Sequence, residues 1–222
     1  MNHPARNRFD WSSLEEQGTI PVLLIRHGQT SWNKQRRFLG RTDIPLDDEG
    51  THQAASAAAS LASIPFSALY SSPLSRAWGT ATAIANTRNS PIVPAPDLTE
   101  LNQGELEGKF GSNLANDYPA FFEQWNTDPT HARVPGGETL AECHARAMKA
   151  VHSIMSSHQP GPPVAIVSHR MTIGCIICEA LNLPLRFNLM IGQRNTAINL
   201  LGYRDGTLSL HRLNDADHLP TD

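Results

Sequence analysis

Residues 21–28 read Pro-Val-Leu-Leu-Ile-Arg-His-Gly, and residues 163–170 read Pro-Val-Ala-Ile-Val-Ser-His-Arg. Each is a short apolar run that stops at an arginine and a histidine. An apolar run of that length reads as a buried parallel strand, with the polar residues delivered at its C-terminal end. In open α/β sheets that end is where ligands bind. Arg26-His27 and His169-Arg170 are therefore expected at one sheet edge, with both histidines facing one pocket.

The rest of the chain supplies matching pieces. Leu46 to Ser63 is Ala-rich after Asp47, Asp48 and Glu49, which suits a helix whose first-turn acids complement its dipole. Phe66 to Tyr70 reads as a strand, and Ser72-Pro73 as the N-cap and first residue of a helix that runs to about Asn86. Ile92-Val93 is a short third strand, and Asp97 to Phe110 is irregular. Asn113 to Trp125 reads as one short amphipathic helix containing Tyr118-Pro119. Thr139 and Glu142 make a capping box for a helix to about Ser157, and Met171 to Leu183 is the helix after the second strand. Thr196 to Tyr203 and Thr207 to Leu213 form a hairpin about Asp205-Gly206. Strands alternating with helices predict a three-layer α/β/α sandwich with a mainly parallel sheet and one antiparallel strand. Residues 1–20 read as a polar leader and 21–215 as one domain with a helical excursion at about 111–134.

Eighteen Lys and Arg against 21 Asp and Glu give a net charge of −3, which argues against a nucleic-acid binder. Between Val22 and Thr42, however, lie Arg26, Lys34, Arg36, Arg37 and Arg41 with no acid, so the chain carries one concentrated positive stretch. No apolar run approaches the roughly 18 residues of a membrane span, and the first residues lack the apolar core of a secretory signal. A cytoplasmic protein without membrane contact is expected. The 3 cysteines are odd in number, and Cys175 and Cys178 fall at helical spacing in an apolar run, so buried thiols are expected rather than disulfides or zinc ligands.

The stretch from Leu24 to Leu46, LIRHGQTSWNKQRRFLGRTDIPL, resembles the signature of the histidine phosphatase superfamily, the phosphoglycerate mutase-like proteins. The resemblance continues through Ser71 to Ala81 (SSPLSRAWGTA), Leu98 to Gly108 (LTELNQGELEG), Pro135 to Thr139 (PGGET) and Val167 to His169 (VSH), in the order that family shows. It implies the phosphoglycerate mutase-like fold and a phosphoryl-transfer site. His27 matches the nucleophile that is transiently phosphorylated, and a neutral imidazole with one nitrogen free is what such an attack requires. Arg26 and Arg76 match the phosphate-clamping arginines, whose planar forks suit a dianion. His169 matches the second histidine, which stabilises the transferring group. Glu100 matches the acid that protonates the leaving alcohol, with Glu105 and Glu107 as competitors. Asn33, Thr30, Gln29 and Arg37 fall at positions that could contact phosphoryl group or substrate, and Lys34, Arg36 and Arg41 at the rim. Arg170 stands where the family commonly has glycine; it either faces the cavity and meets an anionic substrate or turns away.

The expected activity is hydrolysis of small phosphorylated metabolites through phosphohistidine, with no metal or other cofactor. The alternatives are a bisphosphoglycerate-dependent mutase and a catalytically silent phospho-ligand binding module. Only 17 residues separate Glu100 from Tyr118, and the chain ends soon after its last strand, whereas mutases of this type usually carry a longer insertion and an extra tail. The retention of His27, Glu100 and His169 together disfavours a module that only binds. A homodimer is the oligomeric state common among relatives.

Overall fold

The computed structural model describes residues 9–220. A short helix, α1 (Ser12–Glu16), precedes strand β1 (Ile20–Arg26). A single turn, α2 (Ser31–Lys34), and a long loop lead to helix α3 (Asp48–Leu61), strand β2 (Ala68–Ser71), helix α4 (Ser75–Asn86) and strand β3 (Ile92–Pro94). The excursion contains α5 (Gly111–Asp117) and α6 (Pro119–Thr127). Helix α7 (Leu140–Met155), strand β4 (Val164–Ser168), helix α8 (Arg170–Ala180) and the strands β5 (Ile198–Arg204) and β6 (Thr207–Asp215) follow.

The sheet order is β3-β2-β4-β1-β5-β6. The first four strands are parallel, and β5 pairs antiparallel with both its neighbours, so it alone runs against the rest. Successive side chains of a strand point to opposite faces, and the core divides accordingly. Val22, Leu24, Val164 and Ile166 pack with α7 and α8, while Leu23, Ile25, Ala165 and Val167 pack with α1, α3 and α4. Each fully buried Leu or Ile contributes about 1.5–3 kcal/mol, so both layers hold β1 and β4 rigidly. A third cluster joins Leu114 and Phe121 of the excursion to Leu101, Leu106, Leu140 and Met171.

Local chemistry sets several boundaries. Asp47 caps α3 by accepting from the Gly50 N–H at 2.8 Å, and Thr139 with Glu142 forms the reciprocal box at the start of α7. Asp205 and Gly206 both take positive φ, 51° and 80°, as the two-residue hairpin between β5 and β6 requires.

Three expectations need correction. Residues 1–8 of the expected leader lie outside the described residues, but Phe9 and Leu14 are buried in the core beside α3 and α4, so residues 9–19 are not a polar leader. Ser72 does not cap the following helix. That helix starts at Ser75, whose N–H and hydroxyl both donate to Asp43, at 2.7 and 2.6 Å, from the loop after β1. The single helix expected over 113–125 is two. Tyr118 (φ −131°, ψ 57°) ends α5 and precedes α6, because the proline after it disfavours helical backbone at that position.

Candidate active site

Strands β1 and β4 are hydrogen-bonded neighbours with Arg26 opposite Ser168, and the His27 N–H donates to the Ser168 carbonyl at 3.0 Å. That register brings the two histidines together across 142 residues of sequence: the ring centroids of His27 and His169 are 5.1 Å apart. A cavity of about 370 Å³ opens over His27, lined also by Arg26 and Glu100; His169 and Arg76, both fully buried, are not among its lining residues.

His27 is 2% exposed, and its Nδ1 lies 2.7 Å from the Gly28 carbonyl oxygen. A carbonyl can only accept, so Nδ1 carries the proton and Nε2 keeps a free lone pair. Burial, reinforced by the charges of Arg76 and Arg26, pushes the pKa of His27 well below the ordinary histidine value. The backbone around it is close-packed: a Cβ on Gly28 would lie 2.5 Å from the Gly50 carbonyl oxygen, and one on Gly50 1.9 Å from the Gln29 carbonyl oxygen.

His169 is fully buried at the start of α8. The Arg76 Nε–H donates to its Nδ1 at 3.3 Å, which leaves Nε2 as the protonated nitrogen, donating to the Ser72 hydroxyl at 2.7 Å. Burial and the Arg76 charge push its pKa well below the ordinary value as well. The Ser72 contact was not legible in the sequence; it follows from β2 lying beside β4.

Neither Arg26 nor Arg76, the two arginines expected to clamp phosphate, makes a direct ion pair among the described residues, although the charge of Glu100 acts on both and those of Asp43 and Glu107 on Arg76. Arg76 is fully buried, donating from Nη1 to the Thr42 carbonyl at 3.0 Å and from Nη2 to the Gly40 carbonyl at 2.6 Å. Arg26 donates to the Gln193 carbonyl at 2.5 Å, while its buried Nε has no partner among the described residues. Burial brings the Arg26 pKa down to about 10, against the pull of Glu100 and with the push of Arg170 and Arg76. Both guanidinium groups thus spend their hydrogen bonds on neutral groups, and the nearby carboxylates act on them through space only.

Glu100 is 5% exposed and sits on the N-terminus of α8, accepting from the Met171 and Thr172 N–H groups and from its neighbour Leu101. It supplies acceptors to helix amides that have none within the helix. Arg146 holds the strap that carries it, donating to the carbonyls of Asp97, Thr99 and Glu100 while pairing with Glu138. Glu105 and Glu107 do not line the cavity. Glu107 accepts from the Arg41 N–H at 2.7 Å and the Thr42 N–H at 2.6 Å, and so staples the basic loop.

The remaining sequence-derived positions divide. Asn33, Arg37 and Arg170 line the cavity. Thr30 and Gln29 do not: Thr30 is fully buried as the N-cap of α2, in a reciprocal box with Asn33, and the Gln29 N–H is held by the Gln53 side chain at 2.9 Å. With Oδ1 committed to Thr30, Asn33 has its Nδ2 donor to offer. Arg41 pairs with Glu138, and Lys34 and Arg36 are exposed, as expected for rim charge. Arg170, on which the sequence was undecided, faces the cavity, with Nη2 3.3 Å from the Leu189 carbonyl. Phe121, Phe122 and Trp125 of α6 form an apolar wall that motif reading did not single out beyond Trp125. The three cysteines are free and buried, and among the described residues no group of three or more His, Cys, Asp or Glu could hold a metal. Among the same residues, no helix is long and apolar enough to cross a membrane.

Comparison with known proteins agrees with this geometry. The sequence model described as histidine phosphatase superfamily (branch 1) matches residues 22–216. A probable phosphoglycerate mutase from Escherichia fergusonii is 32% identical over 186 residues, covering 84% of this chain and 86% of that protein. Among solved structures, YhfR of Bacillus stearothermophilus superposes with a TM-score of 0.83 at 28% identity, covering 90% of this chain and 98% of that one. A mycobacterial glucosyl-3-phosphoglycerate phosphatase superposes at 0.80 with 26% identity, covering 88% and 99%.

Proposed function

This chain belongs to the histidine phosphatase superfamily, and from that premise we propose that it is a metal-independent phosphomonoester hydrolase working through a phosphohistidine at His27. One observation carries the reading. His27, its pKa held well below the ordinary histidine value, keeps a free Nε2 in a pocket lined also by Arg26 and Glu100, and Arg76 is buried close enough for its charge to act on the imidazole.

The substrate's phosphoryl dianion docks against Arg26 and Arg76, whose buried guanidinium groups supply positive charge where it accumulates in the transition state. Nε2 of His27 attacks phosphorus as the bond to the leaving oxygen breaks, and Glu100 hands that oxygen its proton. The Nδ1–H bond to Gly28 persists, so the phosphoimidazolium formed on attack has its one N–H proton already held by the carbonyl. His169 turns its Nε2–H from Ser72 toward the transferring oxygens. Glu100, now a carboxylate, accepts a proton from water as that water attacks phosphorus; the N–P bond breaks, phosphate leaves and neutral His27 is restored. Arginines and histidines carry the charge that a metal would otherwise neutralise.

The relatives include a protein named as a probable mutase and one named as a phosphatase, so the acceptor of the phosphoryl group is the point to test. The apolar wall of α6 favours hydrolysis of larger esters over transfer to a small polar sugar acid. The protein is mixed with p-nitrophenyl phosphate in EDTA at mildly acidic pH, and separately with 3-phosphoglycerate plus a bisphosphoglycerate primer. Release of inorganic phosphate, and an acid-labile phosphoenzyme absent from His27→Ala, are expected. Conversion of 3- to 2-phosphoglycerate without phosphate release would establish the mutase instead. No turnover in either assay, with His27→Ala indistinguishable from the parent, would establish a binding module.

A further inference from the structure

The outer half of the cavity differs in character from its floor. One wall is aromatic: Phe121 stands 5.0 Å from Phe122 and 5.4 Å from Trp125, centroid to centroid. The volume of about 370 Å³ falls in the range of sites that enclose an organic ligand larger than phosphate alone.

Two cations share that space. Arg41, Arg133, Arg146, Arg204 and Arg212 each pair with a carboxylate. Among the described residues, Arg36, Arg37, Arg88, Arg170, Arg186 and Arg194 pair with none, and of these Arg37 and Arg170 line the cavity. Arg37 lies over the Phe110 ring at 4.4 Å and donates once, to the Gly108 carbonyl at 3.1 Å, while its buried Nε has no partner. Arg170 directs Nη1 at the Met171 thioether, 3.0 Å away, and a thioether is a weak acceptor that a carboxylate readily displaces. The charge of Arg170 reaches Arg26 at the floor. A phosphoryl dianion answers Arg26 and Arg76, and Glu100 is already engaged by the amides of α8. Arg37 and Arg170 remain unanswered.

We propose that the leaving group is a flat apolar body bearing a carboxylate, the apolar part lying on Phe121 and Trp125 and the carboxylate received by Arg170 beside Arg37. The natural substrate is then an amphipathic phosphomonoester, not a small and wholly polar one. The turnover of such an ester rests on the phosphatase reading above; its binding does not.

The test uses paired probes that differ by one charge. Binding is measured by calorimetry for 4-(carboxymethyl)benzylphosphonate and its amide, and kcat/KM for the corresponding aryl phosphates and for 3-phosphoglycerate. A charge-assisted contact predicts that acid exceeds amide by about 10- to 100-fold in both readouts, and that Arg170→Gly brings the ratio to within about threefold. The aryl acid is expected to exceed 3-phosphoglycerate by about tenfold or more, an advantage that Trp125→Ala removes. Each ratio is taken within one protein, so any loss of folded material cancels. An acid-to-amide ratio near one, or one that survives Arg170→Gly, overturns the proposal, as does equal use of 3-phosphoglycerate. Retained preference in binding with no turnover of any ester supports this site and overturns the phosphatase reading; turnover with flat ratios overturns this site alone.

Discussion

The two buried histidines tie the stability of the fold to pH in a way that can be worked out in advance. His27 and His169 titrate well below the ordinary histidine pKa of 6.5 in the folded protein, chiefly through burial and the Arg76 charge, and return to about that value in the unfolded chain. Below pH 6.5 the unfolded state therefore binds protons that the folded state refuses. Stability is complete above pH 6.5 and is lost as the pH falls from there toward the folded pKa values. For each histidine the loss is at most RT ln(1 + 10^(6.5 − pH)), about 1.4 kcal/mol at pH 5.5 and less than about 0.1 kcal/mol at pH 7.5. The pair should cost up to about 2.7 kcal/mol between these two pH values. Carboxylates and surface histidines titrate too, so the quantity to measure is a difference. Urea unfolding of the parent, His27→Asn, His169→Asn and the double variant at both pH values gives four drops in unfolding free energy. Each single variant should show a drop smaller than the parent's, by up to about 1.4 kcal/mol, whatever its stability at pH 7.5. Equal drops in all four proteins would mean that these imidazoles accept protons normally in the folded state. The account of a neutral nucleophile held between two arginines would then fail.

Three further outcomes follow from the geometry. Glu100→Gln should lower kcat for alkyl phosphates by about 10² to 10⁴, and for p-nitrophenyl phosphate by far less, since nitrophenolate leaves without a proton; an equal loss for both esters would remove Glu100 from the acid role. Gly50→Ala places a Cβ 1.9 Å from the Gln29 carbonyl oxygen, so it should destabilise the protein by about 1–3 kcal/mol, a Tm drop of roughly 2–12 °C by scanning calorimetry. Arg146→Met leaves the carbonyls of Asp97, Thr99 and Glu100 without this donor and the Glu138 carboxylate with only Arg41 and the Asn102 N–H. It should cost about 1–3 kcal/mol in urea unfolding, with a fall in kcat larger than any change in KM.

Much of the fold was legible because its signals are local. The apolar runs at Val22–Ile25 and Val164–Val167 are strands on both faces of which something must pack, and the capping box of Thr139 with Glu142 acts within three residues, whereas Asp47, expected in the first turn of its helix, turns out to be the N-cap. The errors came where local signals were answered from elsewhere in the chain. Ser72-Pro73 has the form of a helix start, yet the Ser72 hydroxyl is taken by His169 and the helix N-terminus by Asp43. Thr30 occupies a motif position suited to phosphate contact, yet it turns inward to cap α2. Tyr118-Pro119 sat in view inside the expected helix, and the proline's restriction on its neighbour was the signal to divide it.

By itself, the sequence determined the fold class and which polar residues stand at the ends of β1 and β4, because apolar runs and the residues that end them are local signals. Only the tertiary structure decided how those residues are prepared for chemistry. The free nitrogen on His27, the tautomer of His169, the lack of a direct ion pair at Arg26 and the inward turn of Arg170 depend on hydrogen-bond partners, burial and charge brought from distant segments. Solvation and Coulomb energy follow distance in space, and His169 with Ser72 are 97 residues apart in the chain and 2.7 Å apart in the site.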